Sequence, residues 1–351
     1  MVSKPLIMPV MQPKNINAQQ QFLELLNGYP SPHNGQPITL RPVDAEHYQV
    51  HFQRERGLQA TDVSFIFSFV SMGVFIAYAQ ACGRALGHKV SYRLTLPLES
   101  DLRGEGAVAF ADLTIKWNVN PPDGALHNAI TFRQTSRKKY DTGITPAAAQ
   151  HITELALEAG MQLHQLSVEQ AHQAIWLNQR AVFDDMFDEP VNKELDHWLR
   201  YSKREKESKQ DGLAYDCMQL NGTVMKYIVH HPSILHAPVI APLIQKYYLR
   251  TMADKSDVFY MLAPFKTESD SFAVGTVIAN IWLSLSQQNY YLHPFGTIMS
   301  NHAAHADFLK LVGVSNETRE HNYLVFIFRA GHSEPPAKSL RLPYNKHLLM
   351  E

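Results

Sequence analysis

VSFIFSFVSMGVFIAYAQACGRAL, Val63–Leu86, is the stretch on which the fold turns. Apolar and small residues recur in it at helical intervals through Ile66, Val70, Gly73, Ala77, Ala81 and Ala85, and Gly87 supplies a C-terminal stop. Small residues on one face predict a helix packed closely against a second one, in the middle of a domain or at an interface between two pseudo-equivalent halves. A partner of the same kind lies far downstream, where Ala273–Gln287 carries Val274, Ile278, Ile281 and Leu285 on one face. At 351 residues the chain exceeds one ordinary compact domain, so two structural halves are expected.

Working outward, Phe22, Leu25 and Leu26 predict a helix over 17–27, followed by a Pro/Gly-rich loop and strands at Ile38–Arg41 and Tyr48–Phe52. Strands at Val90–Leu96 and Ala107–Trp117 follow the central helix, and Asn120-Pro-Pro-Asp-Gly124 reads as a connector. Beyond it, Thr145-Pro146 is an N-cap with proline at the first helical position, predicting a helix to Gly160. A strand at Gln162–Leu166 and a helix over Val168–Phe183 come next. The densely charged 194–212 reads as a solvated helix end and loop, and 213–236 as a lid or insertion. A short helix near Ala303–Leu311, a strand at Tyr323–Phe328 and an irregular tail complete the chain. The order helix–loop–strand–helix–strands recurs once, so the expected fold class is α+β, with two pseudo-symmetric halves, 17–125 and 126–351, built of antiparallel-rich sheets around central helices.

A net charge of −1 supplies no global basic field, so nucleic acid is not expected as a partner. Cys82 and Cys217 lack the repeated close spacing of a disulfide framework or zinc site, which favours a reducing, cytoplasmic setting. The N-terminal segment is broken by Pro5 and Pro9 and reads as no signal peptide; no run of about 18 uncharged apolar residues is read, and no membrane span is expected. His230, His231 and His236 are interrupted by Pro232, and His302, His305 and Asp307 share one short helix expected to be solvated, so no metal is assigned.

Four segments carry chemistry. Arg133-Gln-Thr135-Ser136-Arg137-Lys138 concentrates two guanidiniums, two hydroxyls and an ammonium, a donor set suited to a phosphate, although such runs also line ordinary solvated surface. Pro30-Ser31-Pro32-His33-Asn34-Gly35-Gln36-Pro37 is a stiff loop presenting neutral hydrogen-bonding groups that suit a heterocycle edge, or alternatively a turn using Asn and Gly for backbone geometry. Pro294-Phe295-Gly296 offers backbone N–H groups, and Lys338-Ser-Leu-Arg341 is a second basic cluster after Gly331-His332.

In this order the four resemble the nitroreductase superfamily, whose members carry a P-S-x-x-N-x-Q-P-W loop, an R-x-S/T-x-R segment, a P-x-x-G turn and a K-x-R-x-P tail. Placing the loop ahead of the basic segment is similar to the Acg-like subgroup, where both halves of a nitroreductase dimer are fused in one chain. The resemblance covers most of 20–345. It implies an FMN-dependent oxidoreductase with NAD(P)H and a small organic substrate as partners, acting as a monomer with a pseudo-dimer interior or as a further homodimer. A flavin-storage protein, a flavin dehydrogenase acting on a peptide or metabolite, and a degenerate module without flavin stay open beside it. Position by position, it implies that Arg133, Thr135, Ser136 and Arg137 hold the phosphate and ribityl chain, with Lys338 and Arg341 closing the phosphate end. Ser31, His33, Asn34 and Gln36 would meet the isoalloxazine ring, and the backbone of Phe295 and Gly296 would lie near flavin N5. No side chain is assigned as a catalytic acid or base. Ile38 replaces the usual tryptophan, and the first half lacks its own R-x-S-x-R, which implies one flavin per chain.

Overall fold

A buried carboxylate decides where the central helix begins. Asp62 accepts hydrogen bonds from the backbone N–H groups of Phe67 (3.0 Å) and Ser68 (2.8 Å) and from the Ser68 hydroxyl (2.8 Å), satisfying donors that a helix start leaves open. Phe65 takes a left-handed conformation just before the first turn, Val63 stays exposed, and α2 therefore runs Ile66–Leu86. Burial, together with Glu194 nearby, pushes the Asp62 carboxyl up to about 6. The computed structural model describes residues 13–96, 101–239, 241–244, 246–247, 255–265, 268–318 and 321–349.

Helix α1 (Pro13–Leu26) leads into β1 (Ile38–Pro42) and β2 (His47–Gln53); after α2 come β3 (Lys89–Leu94) and β4 (Ala107–Lys116). These strands form an antiparallel sheet in the order β1-β2-β4-β3. Past the connector the chain forms α3 (Gly124–Phe132), β5 (Tyr140–Thr142), α4 (Pro146–Glu158), β6 (Gln162–Gln165), α5 (Val168–Asp185) and α6 (Glu189–Trp198). A small parallel pair, β7 (Leu199–Arg200) and β8 (Leu213–Ala214), encloses α7 (Lys203–Lys209) and is followed by α8 (Gly222–His230). The chain then continues through β9 (Asp257–Ala263), α9 (Glu268–Gln287), β10 (Tyr291–Pro294), α10 (Gly296–Ser300), α11 (His302–Val312) and β11 (Tyr323–Ser333). The second sheet has the order β6-β9-β11-β10, again antiparallel, with β5 on the far end of β11.

The two sheets are topological copies. Apart from β5, two strands precede the long helix in each and two follow it, and the order is first-second-fourth-third. All strands of the first sheet come from 38–116 and all of the second from 140–333. Helices α2 and α9 cross at glycines: a Cβ on Gly73 would stand 2.0 Å from the Phe272 carbonyl oxygen, and one on Gly275 would stand 2.1 Å from that of Val70. Each helix also fills the other half's core. Phe272 and Leu283 pack with the first cluster, while Val74 and Ala77 pack with the second.

Several sequence expectations change. The expectation that no long apolar run exists is overturned by α2, whose mean hydropathy of 1.6 over 18 residues would suit a membrane crossing; 78% of that window is buried inside the fold, which accounts for its composition. Helix α3 begins at Gly124, the last residue of the expected connector, and Asp123 caps it by accepting from Leu126 N–H. The solvated reading of 194–212 fails at Trp198 and Arg200, both buried. The His302/His305 helix is not simply solvated either: His302 is exposed, but His305 bonds Glu317 at 3.0 Å, and Glu317 also accepts from Leu324 N–H, tying α11 to β11. Asp307 pairs with Arg180 at 2.7 Å.

Candidate functional site

The loop between α1 and β1 is held in an unusual backbone state. His33, Asn34 and Gln36 all have positive φ (49°, 54° and 52°), a conformation that persists only when surroundings over-determine it. The surroundings are visible. Ser31 Oγ accepts from Gln36 N–H at 2.9 Å; Asn34 Nδ2 donates to the carbonyls of Gly212 (3.2 Å) and Leu340 (3.0 Å). Gln36 Nε2 donates to Gln210 O (3.0 Å), and its Oε1 accepts from Leu342 N–H (3.0 Å). The amide of Gln36 is thus engaged by protein, which corrects the expectation of a side chain turned to a ligand edge. Asn34 keeps a sealed Oδ1 without a partner.

The same contacts bring in the tail and the β7–β8 segment. Leu349 N–H donates to Leu40 O, so the tail of the second half runs along the first sheet. Arg341 is carried inward by this tail. There it lies beside Arg133, with Tyr29 and Tyr78 from the first half within electrostatic reach. Arg133 is 9% exposed, donates Nη2 to Gly28 O at 3.2 Å, and stacks its guanidinium over Trp282 of α9 at 4.9 Å. Arg133 Nε and Arg341 Nη1 are sealed from solvent with no hydrogen-bond partner, and among the described residues no carboxylate pairs with either side chain. Burial and the Arg133 guanidinium pull Arg341 down to about 10, so it stays charged at neutral pH.

A second cationic group surrounds Arg137. Ser136 is fully buried, its hydroxyl 2.8 Å from that of Ser333, and its carbonyl accepts from Tyr140 OH at 3.0 Å. Thr135 bridges Leu292 on β10. Arg329, fully buried on β11, donates Nε to His293 Nδ1 (3.3 Å) and Nη2 to Lys138 O (3.0 Å), and lies over the Tyr140 ring at 4.5 Å. Burial and Arg137 hold His33 down at about 4; burial, Arg137 and Arg329 hold His293 well below its ordinary range. Phe295 N–H donates to Ile327 O, which removes it as a ligand donor and leaves open space only at Gly296. Lys338 is exposed. A surface hollow of about 140 Å³ beside Gly160 and Pro264, and a crevice of about 20 Å³ beside Tyr344, are not lined by any of the expected cofactor residues.

The four sequence segments therefore converge, while Arg329, His293, Tyr78 and Trp282 belong to the same neighbourhood and were not singled out. Arg329 had a signal: a charged residue inside the strand Tyr323–Ser333, among apolar neighbours.

The imidazoles give the site an acid limit. His347, bonded to Gln36 Oε1 at 3.3 Å, is also held at about 4, by burial first and Arg56 second. A histidine whose folded pKa lies below its unfolded value near 6.5 contributes its full stability above 6.5 and loses it as pH falls toward 4. Asp62 works in the opposite sense between about 6 and 3.8, against the depressed His33, His293 and His347. Urea midpoints are expected to fall from pH 7 to pH 4.5, with a flatter profile in His347→Gln; identical profiles would remove His347 from this account.

No family model matches the chain, and no curated protein does. Among solved structures, the FMN and NADPH-dependent nitroreductase NfnB from Sphigopyxis sp. strain HMH matches 64% of this chain and 97% of its own, at 13% identity and a TM-score of 0.39. A point mutant of that same nitroreductase matches 62% and 94%, at 13% identity and 0.38. The FMN-dependent nitroreductase NfnB from Mycobacterium smegmatis in complex with NADPH matches 65% and 98%, at 12% and 0.38.

Proposed function

We propose that this chain is an FMN-dependent oxidoreductase of the nitroreductase type, with its two halves, 17–125 and 126–351, fused as in the Acg-like subgroup and building one flavin site between them. The observation that carries the reading is the pair of inward guanidiniums at the seam. Arg133 and Arg341 each keep a sealed, unpaired N–H donor, one from the segment after α3 and one from the tail. Like charges brought together without a carboxylate raise each other's energy, and a phosphate dianion with three acceptor oxygens relieves that. The residues present fit the phosphate end of FMN. Arg133 and Arg341 would hold it, exposed Lys338 would close the mouth, and Thr135, Ser136 and Arg137 would follow the chain toward the ring.

When bound, FMN supplies hydride chemistry at its N5, with NAD(P)H as donor and a small organic molecule as acceptor. The protein's own share is binding, orientation and exclusion of water. Ser31, Asn34 and Gln36 act here by fixing the loop to the tail and to the β7–β8 segment. Gly296 leaves room for a ring to approach, since a Cβ there would meet nothing within 4 Å. The residue types and the two free cysteines, both buried, suit a cytoplasmic protein.

Purified protein is expected to be yellow and to bleach with NADH or NADPH. Arg133→Ala and Arg341→Ala each remove charge-assisted hydrogen bonds of about 1.5–3 kcal/mol, which is about 10- to 100-fold in FMN affinity. Fluorescence titration of the flavin-free variants measures this. Parent-like affinity in both variants would exclude the seam as the phosphate pocket.

A further inference from the structure

We propose that the outer side of the 222–247 segment is a docking surface for an anionic lipid bilayer, on which the protein rests without spanning it. The inference stands apart from the flavin reading. Exposed apolar side chains gather here: Val224, Tyr227, Val239, Leu243 and Tyr247 are between 51% and 73% exposed. Among the described residues no other stretch of this length leaves as many large apolar groups in water. Scattered singly they would need no explanation, but gathered in one short segment they mark an interaction surface.

Helix α8 shows how the surface is built. Its inner side is committed to the fold, with Met225 and Val229, one turn apart, buried against Leu199, Leu195 and Leu213. Asn221 caps the first turn by accepting from the N–H groups of Thr223 (3.0 Å) and Val224 (3.3 Å). Gly222 lies so close to Tyr201 that a Cβ would stand 1.7 Å from its carbonyl oxygen, and Asn192 Nδ2 donates to Val229 O at 3.0 Å. A helix held at both ends cannot roll its outer strip inward, so burial of that strip has to come from a partner. The strip is Val224, Tyr227 and, just past the last turn, His231, at three- and four-residue steps; the Tyr227 and His231 ring centroids are 4.6 Å apart. Lys226 flanks it, exposed, 5.8 Å from the Tyr201 ring. The helical stretch at 241–244 and 246–247 repeats the arrangement: Ala241 is buried, Leu243 and Tyr247 are exposed one turn apart, and Lys246 beside them is exposed.

Charge identifies the partner. Between Asp216 and Asp254 the sequence holds no carboxylate, but it holds Lys226, Lys246, Arg250 and three histidines. Asp196, which touches α8, is taken by the Tyr201 hydroxyl and by His230. A two-fold contact with a second copy would set this strip against itself, cations against cations. An anionic bilayer reverses that sign. Tyrosine rings sit at the headgroup level, leucine and valine enter the acyl boundary, and lysine stems reach back to the phosphates. Side chains from two short helices need no matching partner shape when the partner is a fluid surface.

Co-sedimentation of the full chain with vesicles tests this, comparing equimolar phosphatidylcholine and phosphatidylglycerol with phosphatidylcholine alone. Binding is expected on the anionic vesicles, weakening as salt is raised, with little on the neutral ones. Each lysine near an anionic leaflet contributes about fivefold, so Lys226→Gln with Lys246→Gln should weaken binding on the order of 30-fold. Tyr227→Ser with Leu243→Ser removes two apolar anchors and should weaken it by about tenfold or more. All four positions are exposed, so urea midpoints should match the parent in both variants. No binding to anionic vesicles, equal binding to neutral ones, or parent-like binding in both variants overturns the proposal. So does sedimentation equilibrium without vesicles that shows a dimer lost in Tyr227→Ser with Leu243→Ser, since the face would then belong to a second copy. The measurement uses no flavin, so it stands or falls separately from the cofactor assignment.

Discussion

Asp211→Ala is expected to release the β7–β8 segment from the site while the two sheets stay folded. Asp211 stands between two guanidiniums. Arg200, 6% exposed, reaches Oδ1 with Nη2 (2.6 Å) and Nε (3.1 Å), and Arg56 reaches Oδ2 at 2.8 Å. Arg200 also donates Nη1 to the His197 and Leu199 carbonyls, and Arg56 donates Nε to Gly35 O and lies over Trp198. Removing the shared carboxylate leaves one deeply buried and one partly buried cation without a counter-charge. Breaking a buried pair in this way costs about 3–5 kcal/mol; the partial exposure of Arg56 places the expectation near the lower end. Local opening then becomes on the order of 100-fold more populated, and cleavage of an open segment tracks that population. Trypsin has ready targets at Lys203, Arg204, Lys206 and Lys209, all on α7. Rapid cleavage there with an intact remainder is the expected pattern. Asp211→Asn, which keeps acceptor and shape but not charge, should fall between the variant and the parent. Parent-like cleavage in Asp211→Ala would mean that Gly212 N–H on the Asn34 carbonyl and the Asn34 and Gln36 amides hold the segment without the ion triad.

That triad also shows where sequence reading runs out. The long helices were legible because burial on most faces leaves a composition of apolar and small residues, and the Thr145-Pro146 start was legible because capping is local chemistry; Thr145 does accept from Ala148 N–H. The grouping of the α1–β1 loop, the basic segment, the end of β10 and the tail was an expectation carried by the resemblance, since order along the chain does not dictate which segments meet. Arg200 was not legible, because a charge among charges reads as solvated until its partner 11 residues later folds back on it. Gln36 was misread for a related reason. A neutral amide in a stiff loop suits a ligand edge or a backbone carbonyl equally, and the partners that settle it, Gln210 and Leu342, are 174 and 306 residues away. The pseudo-symmetry of the two sheets was legible in the recurring order of elements, whereas the strand order within each was not, since it depends on pairing between distant segments.

The seam between those copies carries the other large effect. Gly275→Ala should be strongly destabilising although helix propensity predicts the reverse. In an exposed helix interior alanine is favoured over glycine by about 1 kcal/mol. At this crossing the added Cβ would stand 2.1 Å from the Val70 carbonyl oxygen, 2.9 Å from its carbonyl carbon and 2.9 Å from Val74 N. All three are backbone atoms of α2, so no side chain can rotate aside, and the two helices must separate. Separation opens both cores at once, because Phe272 and Leu283 of α9 pack with the first cluster and Val74 and Ala77 of α2 pack with the second. Overpacking of a well-filled interior costs about 1–3 kcal/mol and occasionally more; a backbone-on-backbone clash across two cores belongs at the top of that range or above it. Gly73→Ala meets the Phe272 carbonyl from the other side and should behave alike. The two effects should add poorly, since the first substitution has already parted the helices. Gly124→Ala serves as the control, since a Cβ there meets nothing within 4 Å, and it should leave stability unchanged or slightly higher. Urea unfolding followed by circular dichroism measures all three. A Gly275→Ala protein as stable as the Gly124→Ala control would show that α2 and α9 do not cross in contact, and the seam that positions Arg133 against Arg341 would have to be built another way.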